Sequence, residues 1–284
     1  MLKQSGWYVT SAGGSGWLSR EYRSSARKRS RAASPARTDD PYLDPMPSRL
    51  QRYLSGAHEA VWEELTSLGL AIYEPVQLAE AEAIAHETMG RARRNVEMLM
   101  EELPSIGWSF KFPKEGPPTD YCVHAPPRAD VAARISDLER LTGGPLPLSI
   151  KAWWEVVGTV CFMRRPPERF EEPLPDPLVV DPVESVIAEF EDWNADPERR
   201  SIEPRFRAPF APDELHKDDI SGGEPYVIEL PSPGADAMLL NEWHHTTFVP
   251  YLRNAFRCAG LPGWCRDHTK MSRIEKVAAR LLPL

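Results

Sequence analysis

Asp213-Glu214-Leu215-His216, followed by Asp218-Asp219 and the pair Gly222-Gly223, is a dense concentration of chemistry-bearing residues. A carboxylate beside a histidine can form an acid–base pair, and paired glycines let a ligand approach the backbone. The 213–223 loop therefore admits a hydrolase or small-molecule-sensor reading. The motifs that would complete such a site do not occur: there is no nucleophile elbow, phosphate loop or His-Glu-x-x-His anywhere in the 284 residues. Neighbouring acids and a histidine among prolines more often build a surface turn. A metal reading draws on Cys258, Cys265 and His268, with His244-His245 nearby in sequence. Structural zinc sites pair their ligands two to four residues apart, twice. Only Cys265 and His268 keep that spacing, and adjacent histidines on a strand point to opposite faces. Cys161, between Val160 and Phe162, reads as a buried, inert thiol rather than a nucleophile. The expectation is no metal, no cofactor, no catalytic residues, and a protein that is not an enzyme.

Binding chemistry is better represented. Trp153 and Trp154 are neighbours on a predicted helix, about 100° apart around its axis. Both can be core aromatics, or one can enter the core while the other borders the surface. In the second case Trp154 and Glu155, with Asp176, Asp181 and Glu184, would line a partner groove. Aromatics ringed by carboxylates suit a basic protein surface.

The elements that would position these residues follow from periodicity and punctuation. One helix is predicted from Ser48 to Leu68, with Leu50, Leu54, Val61, Leu65 and Leu68 inward. A longer one runs from Pro75 to Leu103, with Ala81, Ile84, Ala85, Ala92, Val96 and Leu99 in its apolar stripe. Trp108, Phe110 and Phe112 alternate as in a half-buried strand. A helix over Asp130–Leu141 ends at Gly143-Gly144-Pro145. Ser149 can cap the Trp-Trp helix, Gly158 stops it, and a strand follows from Thr159 to Met163. Leu178–Val180 reads as a strand, and Asp181-Pro182 opens a helix ending near Trp193. Residues 194–224 read as irregular. Tyr226–Leu230 and Ala237–Trp243 look like an antiparallel pair, and the closing helix spans Thr246–Cys258, with a polar tail beyond it. Helices and small strand groups without a β-α-β rhythm predict an α+β fold, a small mixed or antiparallel sheet packed with helices.

The arrangement Leu138-Glu139…Gly143-Gly144…Leu146-Pro147…Trp153-Trp154…Gly158 resembles the signature of the SUKH superfamily. The strand and turn Asp176-Pro-Leu-Val-Val-Asp-Pro182 and the strand pair leading into the Phe248–Gly263 segment are similar to that family's pattern in order and spacing. The segments at 84–112 and 213–223 resemble extensions in a bacterial branch of such proteins. The resemblance implies a binding module of the kind that includes immunity proteins neutralising polymorphic toxins by direct contact, and supplies no catalytic residues. A scaffold protein without a toxin partner is the remaining alternative.

Composition bounds the rest. Twenty-nine prolines among 284 residues imply many short elements joined by stiff turns. The net charge of −8 is uneven: residues 1–40 hold eight Lys/Arg against three acids, so the remainder carries −13. An acidic body argues against nucleic acid as partner and for a basic protein partner. Residues 1–45 are predicted to be a disordered basic tail, with Met46 as the expected true start; 46–106 a helical extension; and 107–284 the SUKH-like domain. Four cysteines and no apolar leader or membrane-length segment point to free thiols in a cytoplasmic protein with no membrane contact.

Overall fold

A run of apolar residues at helical spacing does not guarantee one helix, and the Ser48–Leu68 segment forms two. They are α1 (Arg49–Leu54) and α2 (His58–Ser67), separated at Ser55-Gly56-Ala57. The computed structural model describes residues 47–114, 116, 122–165 and 172–284, so the tail predicted for 1–45 and the start at Met46 lie outside the described residues. Ser48 and Gln51 cap α1 reciprocally, each side chain accepting the other's backbone N–H. Leu54, expected inward, ends α1 exposed at the break, while Tyr53, Val61 and Leu65 are buried. The long helix, α3 (Pro75–Glu102), buries the predicted stripe, with Pro75 in the first turn where a missing N–H costs nothing.

No strand forms at Trp108–Phe112. Phe110 makes a single bridge to Arg164, and the Trp108 indole N–H donates to the Phe162 carbonyl at 3.0 Å. The alternation there records one buried side, not a ladder. The three-stranded antiparallel sheet instead consists of β1 (His124–Ala125), β2 (Thr159–Cys161) and β3 (Val179–Val180), in that order. Between β1 and β2 lie α4 (Val131–Thr142), ended as predicted by Gly143, and α5 (Leu148–Val156), the Trp-Trp helix. Ser149 does not cap α5. Pro147 stands at the cap, and the first N–H groups of the helix are satisfied from across the chain, Leu148 by the Gly234 carbonyl and Ser149 by Ala235. The Ser149 hydroxyl donates instead to Asp236 at 2.6 Å.

Residues 194–224 carry more structure than composition implied. After α6 (Val183–Ala195), Asp196 caps α7 (Pro197–Ile202) through the Glu198 and Arg199 N–H groups. Asp181 does not cap α6; Pro182 occupies that position. Then β4 (Phe206–Ala211) pairs antiparallel with β5 (Tyr226–Leu230), Phe206 opposite Leu230 and Ala208 opposite Ile228. The predicted partner of β5, Ala237–Trp243, touches it only at the Val227–Leu240 bridge. Pro209 disguised β4: it reads as a breaker, but the register shifts between Pro209 and Ala211, where an irregular ladder tolerates a missing donor. One hydrogen bond, Asp181 N–H to Phe210 O at 2.9 Å, joins the two sheets through β3 and β4.

The chain closes with α8 (Phe248–Arg257), a 3₁₀ turn (Pro262–Arg266) and α9 (His268–Ala278), which replaces the expected polar tail. Asp267 caps α9, and Ile274 and Val277 are buried. The turn folds back on the end of α8 and brings the Cα atoms of Cys258 and Cys265 to 5.9 Å, where the two form a disulfide. The expectation of four free thiols is corrected for this pair; Cys122 and Cys161 remain thiols and are buried.

Residues 46–284 form one compact α+β unit. The expected boundary at residue 106 is absent from the packing, because α3 and α5 share one core with both sheets. Its centre is aromatic: Trp153 meets Phe248 edge-on at 5.6 Å, Phe248 meets Phe210 at 4.9 Å, and Phe190 meets Phe206 at 5.1 Å. Among the described residues no helix is long and apolar enough to cross a membrane.

Gly158 fixes the passage from α5 to β2. Its φ is +90°, and a Cβ there would overlap the Ala125 carbonyl oxygen and lie 2.9 Å from the Pro126 carbonyl carbon. Backbone, not a yielding side chain, occupies that space. Gly158→Ala should therefore lower unfolding free energy by about 2 kcal/mol or more in urea melts. An unchanged midpoint would mean that β1 does not press on this turn.

Candidate protein-interaction surface

The five residues predicted to line a partner groove do not assemble into one. Trp154 is 3% exposed; its indole N–H donates to the Asp181 carbonyl at 3.0 Å, and its ring packs 6.0 Å from Phe210. Both tryptophans are core residues. Asp176 is fully buried, so it cannot meet a partner either. Glu155 is half-buried beside His86, whose Nε2 lies 2.9 Å from its carboxylate and whose pKa Glu155 raises; the two line a cleft of about 400 Å³ between α3, α4 and α5. Glu184, 3.4 Å from Arg128, lies away from that cleft and edges a separate small pocket together with Trp154. Asp181 is half-buried, and desolvation pushes its carboxyl up to about 6 although Lys217 pulls the other way.

The 213–223 loop sits on a buried layer of charge. Lys217, from the 3₁₀ turn His216–Asp218, is wholly enclosed; its Nζ is 2.7 Å from Asp176 Oδ1 and 4.4 Å from the centre of the Tyr226 ring. Asp218 meets Arg164 at 3.0 Å, also in the interior, and Arg164 lies over the Trp108 ring. Asp176 holds a left-handed φ of +47°, which points its carboxylate at Lys217 from the loop before β3. The acid–base pair foreseen at Asp213 and His216 does form, with His216 Nδ1 against Asp213 Oδ2, but Asp213 is already engaged. Its other oxygen accepts the Leu215 and His216 N–H groups, and a Cβ on Gly223 (φ +82°) would collide with the carboxylate. Asp213 thus organises the turn. Cys161 is a thiol whose pKa burial pushes up to about 11, the inert state expected.

Above this layer a different surface is assembled. Residues 237–248 form a hairpin-like excursion, closed by Phe248 N–H to Ala237 O at 2.9 Å and Leu239 N–H to Thr246 O at 3.0 Å. Asn241 and His245 take left-handed conformations at its tip. Fully buried Glu242 accepts the His244 N–H and pairs with its ring, anchoring the tip from beneath. Trp243 projects, 40% exposed, against the His244 ring on one side and Arg266, whose guanidinium carbon is 3.8 Å from the indole centroid. Arg266 in turn reaches Glu214 at 3.0 Å, so the excursion, the 213–223 loop and the Pro262–Arg266 turn meet in one patch. The side chain of Met238, half exposed, lies on the same excursion.

Trp243 is not legible as a surface residue in the sequence, because it closes the apolar alternation of the Ala237–Trp243 strand pattern. Its polar neighbours, Asn241-Glu242 and His244-His245, are the one signal that placed it outside a buried ladder. Among the described residues no three His, Cys, Asp or Glu side chains are grouped so as to hold a metal ion, and the disulfide takes Cys258 and Cys265 out of the arrangement weighed above. Compared with protein-family models, curated proteins and solved structures, the chain finds no match in any of the three.

Two predictions follow from the buried charges. Lys217→Met alone strands the Asp176 carboxylate in the interior and should cost about 3–5 kcal/mol, as breaking one side of a buried pair does. Adding Asp176→Asn, which tolerates the left-handed backbone, should recover a large part of that loss in the same melts. Additive losses would show that the two side chains do not interact. For Asp181, the folded chain keeps a proton that an unfolded aspartate, with pKa near 4, has released. Stability from this group therefore falls as pH rises from about 4 to 6, and the penalty is complete above 6. Asp181→Asn should raise stability at pH 7 and leave it level with the native chain near pH 3.5; a gap that does not grow with pH would overturn the assignment.

Proposed function

We propose that this chain is a non-catalytic, SUKH-like protein-binding module, an immunity-type protein that neutralises a cognate bacterial toxin by direct contact. The observation that carries the binding reading is Trp243, exposed yet held rigid between His244 and Arg266. Tryptophan and arginine are the residues most often found to dominate association energy, above all when they are fixed before the partner arrives. The sequence signature at 138–158 supports the family assignment. The excess of acid over residues 41–284 supports a basic partner, since a net field of that sign draws in the opposite charge.

The alternative, a sensor or hydrolase built on the 213–223 loop, finds its polar groups committed to the fold: Asp213 to its own turn, Lys217 to Asp176 and Asp218 to Arg164. A scaffold role without a toxin partner has no observation of its own. A photo-cross-linking residue in place of Trp243, introduced in the native cell, should capture one protein, and the same residue at exposed Val76 should not. Trp243→Ala should then weaken that purified partner's binding by about 30-fold or more without lowering the melting midpoint, and association should slow as salt rises. A Trp243→Ala chain that binds the partner as well as the native chain would overturn this surface. Failure to capture any protein, with a small metabolite retained in the native mass spectrum, would favour the sensor reading.

A further inference from the structure

A second site lies away from the Trp243 patch, where α2, α3 and α8 enclose residues 282–284. This segment belongs to no helix or strand, yet its backbone is read by side chains at each residue. Asn95, fully buried in the apolar stripe of α3, makes a two-way bond with Leu282: its amide N–H donates to the Leu282 carbonyl at 2.9 Å, and its amide oxygen accepts the Leu282 N–H at 2.7 Å. Arg91, one turn earlier on α3, donates to the Pro283 carbonyl at 3.3 Å. Arg253 on α8 donates to a main-chain oxygen of Leu284 at 2.9 Å and to the His58 carbonyl at 3.1 Å. The Leu284 side chain is buried.

Such a pattern reads the backbone at each residue and takes the last apolar side chain into the interior. A buried asparagine inside an apolar helix face is costly unless both halves of its amide are satisfied, and here only a peptide backbone satisfies them. The resident segment also leaves the cleft partly unfilled. A cavity of about 650 Å³ remains between it and α2, walled by Glu59, Glu63, Arg253 and Arg257, and a neighbouring cavity of about 600 Å³ shares Glu59, Glu63 and Arg253.

We propose that this cleft is a peptide-binding site for an extended apolar–proline–apolar segment of a partner protein, and that residues 282–284 occupy it as an internal strap. The internal copy competes at an effective concentration of roughly millimolar, so an external peptide gains access when the strap is displaced. This site is independent of the Trp243 surface, and either can fail without the other.

The probe is the fluorescently labelled synthetic peptide Arg-Leu-Leu-Pro-Leu, the sequence of residues 280–284. In full-length chain carrying Leu282→Asp and Leu284→Asp, carboxylates forced into the cleft expel the strap. That variant should bind the peptide saturably, at least 30-fold more tightly than the native chain does, and adding Asn95→Ala should weaken binding at least 10-fold. A folded variant that shows no saturable binding, or binding indifferent to Asn95→Ala, overturns the proposal. Should the variant not fold, hydrogen exchange on the native chain decides. The Leu282 amide should exchange through local opening and faster still with millimolar peptide present, because the peptide holds the strap out. Exchange at Leu282 that the peptide does not accelerate also overturns the proposal.

Discussion

Lys217 and Asp176 are the pair that seats the 213–223 loop against both sheets. Each is fully enclosed; Asp176 comes from the loop ahead of β3 and Lys217 from the 3₁₀ turn between β4 and β5. An ammonium and a carboxylate lose their hydration in that setting and offset much of the cost by pairing, which holds the two segments where Nζ and Oδ1 meet at 2.7 Å. Tyr226 of β5 lies under the ammonium, which ties the pair to the second sheet. Arg164 and Asp218 repeat the device one residue along, and hold the same turn to the strand end that follows β2. Two adjacent residues of one short turn thus fasten both sheets together, beside the backbone hydrogen bond from Asp181, just after β3, to Phe210 of β4.

The aromatic centre adds cohesion between the same elements. Trp153, Phe248, Phe210 and Trp154 touch in sequence between α5, α8 and β4, and Phe206 of β4 meets Phe190 of α6, edge to face in most cases. Their packing is specific because ring pairs prefer tilted and edge-on contact over arbitrary overlap. The α3 helix lies along α5 and adds its small-residue stripe of alanines, which lets the two helices approach closely. For this reason the helices before residue 106 are part of the domain and not an appendage to it.

The two proposed sites lie where this interior gives way to groups packed against polar partners at the surface. The Trp243 tip owes its order to a buried glutamate below and an arginine beside it, so little freedom remains to be lost on association. The cleft around Asn95 achieves the same by other means, with fixed donors and acceptors already set to backbone spacing. Both sites are preorganised by polar contacts, and neither depends on a large exposed apolar patch.

The sequence by itself determined the elements with strong local signals. The α3 stripe, the glycine stops at 143 and 158, the Trp-Trp helix, the α+β class and the buried Cys161 follow from periodicity and from residues with special backbone freedom, and these effects act over a few residues. Tertiary structure decided what depends on distant partners. The pairing of β4 with β5 was hidden by Pro209, because a proline's tolerance depends on the register opposite it. Lys217 sits in a string of acids that reads as a solvated loop, and only Asp176, 41 residues away, makes its burial possible. The Cys258–Cys265 bond required the Pro262–Arg266 turn to fold back on α8. Two of the five predicted binding residues went inward for the same reason: Trp154 and Asp176 look suited to a surface in isolation, but the interior holds a carbonyl for one and an ammonium for the other. Local chemistry states what a side chain can bind, and the fold decides which partner arrives first.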